Sequence, residues 1–362
     1  MDFTFTPEQD EAAALAARIL GDRATNERQK AVEAGGSRFD GELWGELGAA
    51  GLLGLWLPEE ADGSGLGLVE LCRVLVEAGR VVAPVPLAAH GPASRFLAEH
   101  SPGSPWLSAD GSTLLTVALA EERDHAPARP TTTASADHVL DGTKVVVPAG
   151  ADAHAFLVPA WTGATVGVYV VLPDDPGVTV TPLPFSGGDR VARLDLAGVA
   201  LDGDRVVGPA DGAAYDRLRH LVLLAAAAEQ LGVCEGALAL TAAYSKTREQ
   251  FGRPIGTFQA VSQRLADGYI DTLGQRLTLW QAAWRLAEGL PADTEVAVAK
   301  LWAADAGHRI AHTTVHVHGG VGIDLDGEAH RYFTAAKRFE FLHGGSTEQA
   351  LHIGRTLAAE PA

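Results

Sequence analysis

The apolar positions of the chain follow two different periods. Between residues 6 and 97 they recur every three or four residues, as at Ala12, Leu15 and Ile19, which predicts amphipathic helices. The same period returns from about residue 213 to the end of the chain. Between the two helical blocks the chain consists of short apolar runs, LLTVALA, KVVVPA, AFLVPA, VGVYVVLP, VTVTPL and VARLDLAGV, separated by Gly, Pro and Asp. Such runs predict β-strands.

The order of these blocks predicts the fold class. Helices, then strands, then long helices indicate an α+β plan and exclude the alternating strands and helices of a dinucleotide-binding fold. We expect an N-terminal helical domain over residues 1–111, a central antiparallel β domain over residues 112–208 and a C-terminal helical domain over residues 209–362. The helical pattern of the third domain includes one continuous apolar stripe. It consists of Val261, Leu265, Tyr269, Leu273, Leu277, Trp280 and Trp284.

The net charge of the chain limits the classes of partner that it can bind. The 362 residues include 28 Lys and Arg against 46 Asp and Glu, a formal net charge of −18. This balance argues against a general nucleic-acid or anionic-membrane surface. Any anionic ligand must therefore be held by a local basic pocket.

Cysteine usage and hydropathy predict the compartment. Cys72 and Cys234 lie far apart in apolar helical segments, which favours reduced core thiols over a disulfide framework. The N-terminal MDFTFTPEQDEAAAL lacks the basic and apolar regions of a secretory signal. The longest uninterrupted apolar run, Leu221 to Ala228, is shorter than the roughly 20 residues that a membrane-spanning helix needs. We expect a soluble, cytoplasmic protein that binds no membrane.

Two stretches resemble ligand sites but have plainer interpretations. GSGLGL at residues 63–68 follows no predicted strand and lacks the strict glycine spacing of a phosphate loop, so we interpret it as a turn. His308, His312 and His316 are spaced by four on a predicted helix and could face one metal ion. No carboxylate or cysteine accompanies them at zinc-like spacing, so we expect no metal. A metal-dependent hydrolase built on these histidines remains an alternative.

The most informative segment is YSKTREQFGRPIGTFQAVSQRLAD, residues 244–267. It predicts a helix end that carries Lys246 and Arg248, a turn rich in Gly and Pro, and a new helix that starts near Phe258. A guanidinium beside a helix N-terminus suits a pyrophosphate, because both offer N–H donors to anionic oxygens. A plain helical hairpin with surface cations explains the same residues, and from these residues alone both interpretations stay open.

Motifs in a fixed order make nearly the whole chain resemble the acyl-CoA dehydrogenase family. They are FTPEQ, LWGELGAAGLLGLWLPEEADGSGLGLVEL, LDGTKVVVPAGADAHAFLVPA, RLDLAGVALDGDRVVG, REQFGRPIGTFQ and HGGVG. The resemblance implies an N-terminal helical domain, a central β domain and a C-terminal four-helix bundle. It also implies a bound FAD that a neighbouring subunit contacts, and the removal of two hydrogens from the α and β carbons of an acyl-CoA thioester.

The resemblance assigns roles residue by residue. Arg248 matches the arginine of the family's RxxFG motif, which approaches the FAD pyrophosphate, and His316 stands where the family usually has glutamine. A substrate contact is implied at Gly344. The implied FAD-binding residues are Arg248, Phe251, Gln259, His316, Gly319, Gly320, Gly345 and Thr347.

His343 stands where the family commonly has its catalytic glutamate. Imidazole titrates near neutral pH and can replace a carboxylate as the base that removes the α proton. Some family members carry the glutamate on an earlier helix, but the matching position here is Val222. Glu340, three residues before His343, is a further candidate for a relocated base.

A second departure concerns a flavin-contacting loop of the family, TEPxxGSD, which here reads ALAEERDHAPARPTTT. The two departures resemble one subunit type of two-component acyl-CoA dehydrogenases, including those that act on CoA thioesters of steroid side chains. We therefore expect a subunit without its own base in a homo- or heterotetramer with a paralogous subunit. The alternative is a self-sufficient enzyme that uses His343. The resemblance implies electron-transferring flavoprotein as the electron acceptor.

Overall fold

The computed structural model describes residues 4–209 and 211–359. The described residues form two compact units. The first unit contains residues 4–34, 72–84 and 226–359, and the second contains residues 35–71, 85–209 and 211–225.

Helices dominate both ends of the described chain, as the apolar period predicts. Their bounds are α1 Pro7–Arg23, α2 Asn26–Ala34, α3 Gly41–Ala49, α4 Leu68–Arg80, α5 Leu87–His100, α6 Ala213–Thr247, α7 Gln259–Ala287, α8 Asp293–His318, α9 Ala329–Phe341 and α10 Ser346–Ala359. The start of α1 shows how sequence sets an element. Thr6 and Gln9 form a reciprocal capping box, and Pro7 occupies the first turn, where its missing N–H costs nothing.

All but the last two strands of the described chain fall in residues 112–208, where short apolar runs predict them. Their bounds are β1 Leu115–Val117, β2 Thr133–Ala134, β3 Val139–Val147, β4 Ala155–Trp161, β5 Val166–Val171, β6 Val178–Pro182, β7 Ala192–Ala200, β8 Val206–Val207, β9 Glu249–Gln250 and β10 Arg253–Pro254. The last two form a hairpin of their own in the first unit.

The sheet of the second unit is mixed, whereas the sequence predicted an antiparallel one. Its order is β6-β7-β3-β2-β4-β5-β8, with β1 beside β4. The strands β1 and β2 run parallel to β4, and the other pairs are antiparallel. No short hairpin joins either strand to β4, and a long connection permits parallel pairing. The α+β class and the acyl-CoA dehydrogenase-like arrangement of helices, sheet and helices are confirmed. The exact domain bounds stay a prediction.

Glycines allow α4 and α6 to approach closely in the first unit. A Cβ at Gly232 would lie 1.9 Å from the Val76 carbonyl oxygen, and one at Gly79 would lie 2.0 Å from the Glu229 carbonyl oxygen. Contacts this short are impossible for a real side chain, so only glycine permits this helix spacing.

The apolar stripe of α7 is a helix face, as predicted, but it is not buried within the described chain. Tyr269 is 58% exposed and Leu277 is 72% exposed. The buried face of α7 carries mostly small and polar residues instead, namely Gly268, Asp271, Thr272, Gln275, Leu279, Ala282, Ala283 and Leu286. Exposed apolar patches of this kind mark interaction surfaces.

The helix α6 is long and apolar enough to cross a membrane by length and composition, but 89% of its most apolar 18-residue window is buried inside the structure. Such burial is typical of a core helix. Cys72 and Cys234 are free and buried, as their apolar surroundings predict.

Candidate functional site

The segment after α6 folds into a small projecting hairpin. The Arg248 carbonyl oxygen accepts a hydrogen bond from the Ile255 amide at 2.8 Å, which closes the hairpin formed by β9 and β10. Phe251 and Gly252 form its tip with φ of 54° and 76°. Arg248 is exposed, and Phe251 is 93% exposed. The hairpin therefore presents a cation and an aromatic ring outward.

The start of α7 adds further donors to this hairpin. Gln259 is the first residue of α7 and is exposed, and no side chain caps the helix at Phe258. The Arg253 guanidinium lies 4.1 Å above the Phe258 ring centroid. A helix N-terminus with the Arg253 guanidinium beside it, and the exposed Arg248 in the adjoining hairpin, is suited to a pyrophosphate.

The end of α8 is tied to the end of α6 by ring stacking. Tyr244 and His318 stack with centroids 4.3 Å apart at an angle of 20°. His318 Nδ1 donates to the Thr314 carbonyl oxygen at 2.8 Å, which fixes the ring. Gly319 ends α8 with φ of 65°, and nothing lies within 4 Å of a Cβ built on Gly319 or Gly320. Both glycines are exposed, so a flat ligand can approach their backbone.

These donors fit FAD. The guanidinium of Arg248, the first turn of α7 and the Gln259 amide match the chemistry of a pyrophosphate, and the exposed glycine backbone matches that of a planar ring system. His316 lies one turn before Gly319 and is also exposed, so its imidazole can donate or accept beside the glycines.

The turn between α9 and α10 carries His343 and the glycine pair. His343 is only 5% exposed and has φ of 60°, in the left-handed region that few residues with a side chain adopt. Gly344 follows with φ of 101°. Gly345 is buried, and Thr347 is exposed in the first turn of α10. Non-glycine residues held at positive φ cluster at functional sites, because the surrounding structure must enforce the strain.

A buried lysine on α8 holds this turn. Lys300 Nζ donates to the carbonyl oxygens of Phe339 at 3.0 Å, Glu340 at 3.2 Å and Gly344 at 2.8 Å. Lys300 is fully buried, and burial lowers its pKa to about 7 despite the nearby carboxylates of Glu348 and Glu340. Burial disfavours the charged amine, which only convergent oxygens can stabilise.

Two side chains of α10 brace the same turn. The Glu348 carboxylate accepts a hydrogen bond from the Gly345 amide, and Gln349 Nε2 donates to the His343 carbonyl oxygen at 3.5 Å. The first contact is one half of a capping box at the start of α10. The turn is thus held by α8 on one side and by α10 on the other.

Glu340, the candidate for a relocated base, is engaged by neighbouring side chains. Its carboxylate is paired with Lys337 Nζ at 2.5 Å and with His308 Nδ1 at 3.1 Å. The His308 and His312 rings lie 4.5 Å apart, and burial, followed by the neighbouring His308 and Lys337, lowers the pKa of His312. Within residues 4–209 and 211–359, no group of three or more His, Cys, Asp or Glu side chains is placed to hold a metal ion.

Sequence reasoning missed Lys300. The signal is a single lysine within the apolar run VAVAKLWAA of an amphipathic helix, where a charged residue at a buried position needs specific partners.

Sequence reasoning also missed Glu121, at the start of the altered loop. Its carboxylate is the acceptor of a buried hydrogen-bond network in the second unit. Lys144 Nζ donates to it at 2.7 Å, and the amides and hydroxyls of Thr131 and Thr132 do so as well.

Comparison with known proteins identifies the family. The model of the acyl-CoA dehydrogenase N-terminal domain matches residues 6–100, and that of the C-terminal domain matches residues 223–358. The chain belongs to the acyl-CoA dehydrogenase family, as its motifs predicted. It is an FAD-dependent oxidoreductase.

Individual relatives are similar over their full length. The chain is 46% identical to the acyl-CoA dehydrogenase FadE27 of Mycobacterium tuberculosis, and the alignment covers 100% of both chains. A chain of the ChsE4-ChsE5 complex from Mycobacterium tuberculosis has a TM-score of 0.93 at 46% identity, with 100% of both chains covered. A chain of the Tcur3481-Tcur3483 steroid ACAD variant has a TM-score of 0.91 at 42% identity, covering 97% of this chain and 98% of that one.

Proposed function

We propose that this chain is the base-lacking subunit of a heteromeric acyl-CoA dehydrogenase, in which a paralogous chain supplies the carboxylate base. One observation carries the proposal: position 343 holds a buried imidazole on a strained turn, and the nearest acidic residue of α9, Glu340, is engaged by Lys337 and His308. The other family position for the base, Val222, is a buried apolar residue.

The reaction removes a proton from the α carbon of a CoA thioester and a hydride from its β carbon. Bound FAD supplies the hydride acceptor. In our proposal Arg248 and Gln259 bind the pyrophosphate, and Phe251 covers the cofactor from the hairpin tip. The turn residues Gly344 and Gly345 approach the substrate and the flavin. The remaining flavin contacts that we propose are His316, Gly319, Gly320 and Thr347.

The similarity to chains from two-component complexes supports a paralogous partner. The exposed apolar face of α7, defined by Tyr269, Ile270 and Leu277, supports the same proposal, because obligate subunit interfaces are rich in such residues. We propose that this face binds the paralogous subunit in a tetramer. The cytoplasm as the compartment and electron-transferring flavoprotein as the electron acceptor belong to the same proposal.

The relatives support a proposal for the substrate class as well. The Tcur3481-Tcur3483 protein is a steroid ACAD by name, so we propose a CoA thioester with a steroid side chain as the acyl group. A straight-chain acyl-CoA is the natural comparison substrate.

Co-expression with a glutamate-bearing paralogue tests the proposal. The complex should bind FAD and oxidise a steroid side-chain CoA thioester, and this chain alone should not oxidise it. His343→Ala in the complex should leave kcat within about threefold, because general-base catalysis contributes at least roughly a hundredfold where it operates. Replacing the paralogue's glutamate by glutamine should abolish turnover.

The opposite result would identify a self-sufficient enzyme. In that case the isolated chain binds FAD, the thioester bleaches the bound flavin, and His343→Ala abolishes the bleaching. Imidazole is then the base, and the proposal that a paralogous subunit supplies the base is wrong.

A further inference from the structure

The contacts of Lys300 converge on the turn that separates α9 from α10. Two of its acceptors, the carbonyls of Phe339 and Glu340, belong to the last turn of α9, where helix carbonyls have no partner within the helix. The third acceptor, the carbonyl of Gly344, lies beyond His343. One ammonium group therefore bridges the chain before and after His343.

The donor count matches the acceptor count. An ammonium group has three N–H donors and no acceptor, and Lys300 Nζ has three carbonyl oxygens between 2.8 and 3.2 Å. A neutral side chain of similar length, such as methionine, can fill the same volume but satisfies none of these carbonyls.

Stability alone is a poor reason to place a lysine here. Burying an ammonium is expensive, and an apolar residue of similar volume is often neutral or stabilising at such positions. The turn that Lys300 holds has two consecutive residues at positive φ, His343 at 60° and Gly344 at 101°. Glycine adopts positive φ readily, so it is the left-handed conformation of His343 that the surroundings must hold.

We propose that Lys300 is a positioning residue that locks residues 343–345 in the conformation required at the flavin and substrate site. It touches neither ligand in this proposal and acts through the backbone of the turn. The inference rests on the proposed role of Gly344 and Gly345 in the site, but its structural part can be measured without turnover.

The test uses Lys300→Met, with Lys337→Met as the matched control. Both variants lose one positive charge beside the end of α9, but Lys337 bonds to the side chains of Glu340 and His308, whereas Lys300 bonds to backbone carbonyls. Amide hydrogen exchange should rise at residues 343–345 of Lys300→Met by about tenfold or more, the effect of losing one net hydrogen bond. The dissociation constant for FAD of the complex with the paralogous chain should rise by about the same factor. In Lys337→Met both quantities should stay within about twofold of the parent protein.

A purely structural lysine would lower the melting temperature without changing exchange at the turn selectively or the visible spectrum of bound flavin. The positioning role therefore also predicts a shifted flavin absorption maximum in Lys300→Met relative to Lys337→Met. Unchanged exchange and unchanged FAD affinity in a folded Lys300→Met would overturn the inference.

Lys300→Gln covers the case in which Lys300→Met does not fold. Its amide keeps two of the three donors, so its exchange rate and its dissociation constant for FAD should lie between those of Lys300→Met and the parent. If only Lys300→Gln folds, both quantities should rise above those of the parent by less than about tenfold. Values equal to the parent overturn the proposal. Failure of the two chains to associate would reject the proposed function, but selective exchange at residues 343–345 of the isolated chain would still support the role of Lys300.

Discussion

Glu121 and Lys144 show what single residues contribute to the second unit. Both side chains are buried, and the carboxylate accepts hydrogen bonds from Lys144, Thr131 and Thr132. Burial alone would raise the pKa of Glu121, but the Lys144 ammonium and the threonine donors outweigh burial and hold this pKa well below its usual range. This network fixes the end of the loop that departs from the family pattern.

We predict that Glu121→Gln destabilises the protein by roughly 3 kcal/mol at pH 7, because it leaves the Lys144 ammonium buried without its counter-ion. The native pKa of Glu121 lies below that of the unfolded chain. Its stabilisation is therefore complete above the ordinary value of about 4.3 and is lost as the pH falls through the native value. The difference between parent and variant should thus shrink by about 1 kcal/mol at pH 3.5. Urea unfolding of parent and variant at pH 7 and pH 3.5 measures this difference in stability.

Asp195→Asn is the control for this prediction. Asp195 pairs with Arg193 on the same sheet at 2.7 Å, but both side chains are partly exposed. Exposed pairs contribute at most about 1 kcal/mol. An equal loss of stability in the two variants would contradict the role assigned to burial.

At the scale of elements, helix packing in the first unit depends on glycines with no room for a side chain. Gly232→Ala would place a methyl group 1.9 Å from the Val76 carbonyl oxygen if nothing moved. We predict a loss of roughly 2 to 3 kcal/mol, because α4 and α6 must separate to accept the added carbon.

Gly21→Ala on α1 is the matched substitution in open space, since nothing lies within 4 Å of its built Cβ. Alanine favours the helix by up to about 1 kcal/mol over glycine, so this variant should melt at the same temperature as the parent or higher. Thermal unfolding followed by circular dichroism compares the two. Equal melting temperatures would show that the close approach of α4 and α6 adds no constraint.

At the scale of the whole molecule, the apolar face of α7 remains exposed in a single chain. We predict that Leu277→Glu weakens association with the paralogous subunit by at least about tenfold in Kd, because a charge in the core of an interface must be desolvated without a partner. Ala17→Glu adds the same charge at an exposed position of α1 and should associate like the parent. Sedimentation velocity of the co-expressed chains measures the assembly. Normal assembly of Leu277→Glu would place the interface elsewhere.

Much of the fold could be predicted from the sequence, because the signals are local. The three- and four-residue apolar period predicted the helices, the short runs predicted the strands, and motif order identified the family. Local signals did not predict strand direction for β1 and β2, which depends on pairing with a strand far along the chain. They also did not reveal which face of α7 is buried, since the apolar stripe and the buried face differ.

For the candidate site, too, some features could be predicted from the sequence and others only from the folded chain. The sequence by itself determined the residue types that can meet FAD, from Arg248 to the Gly319-Gly320 pair, and it determined that no glutamate stands at residue 343. Only the tertiary structure decided that Glu340 pairs with Lys337 and His308, and that Lys300 reaches across from α8 to three carbonyls of a strained turn. The physical reason is that residue types and helical periods can be read from neighbouring positions. The environment of a buried charge is instead formed by segments some forty residues apart, which meet only in the folded chain.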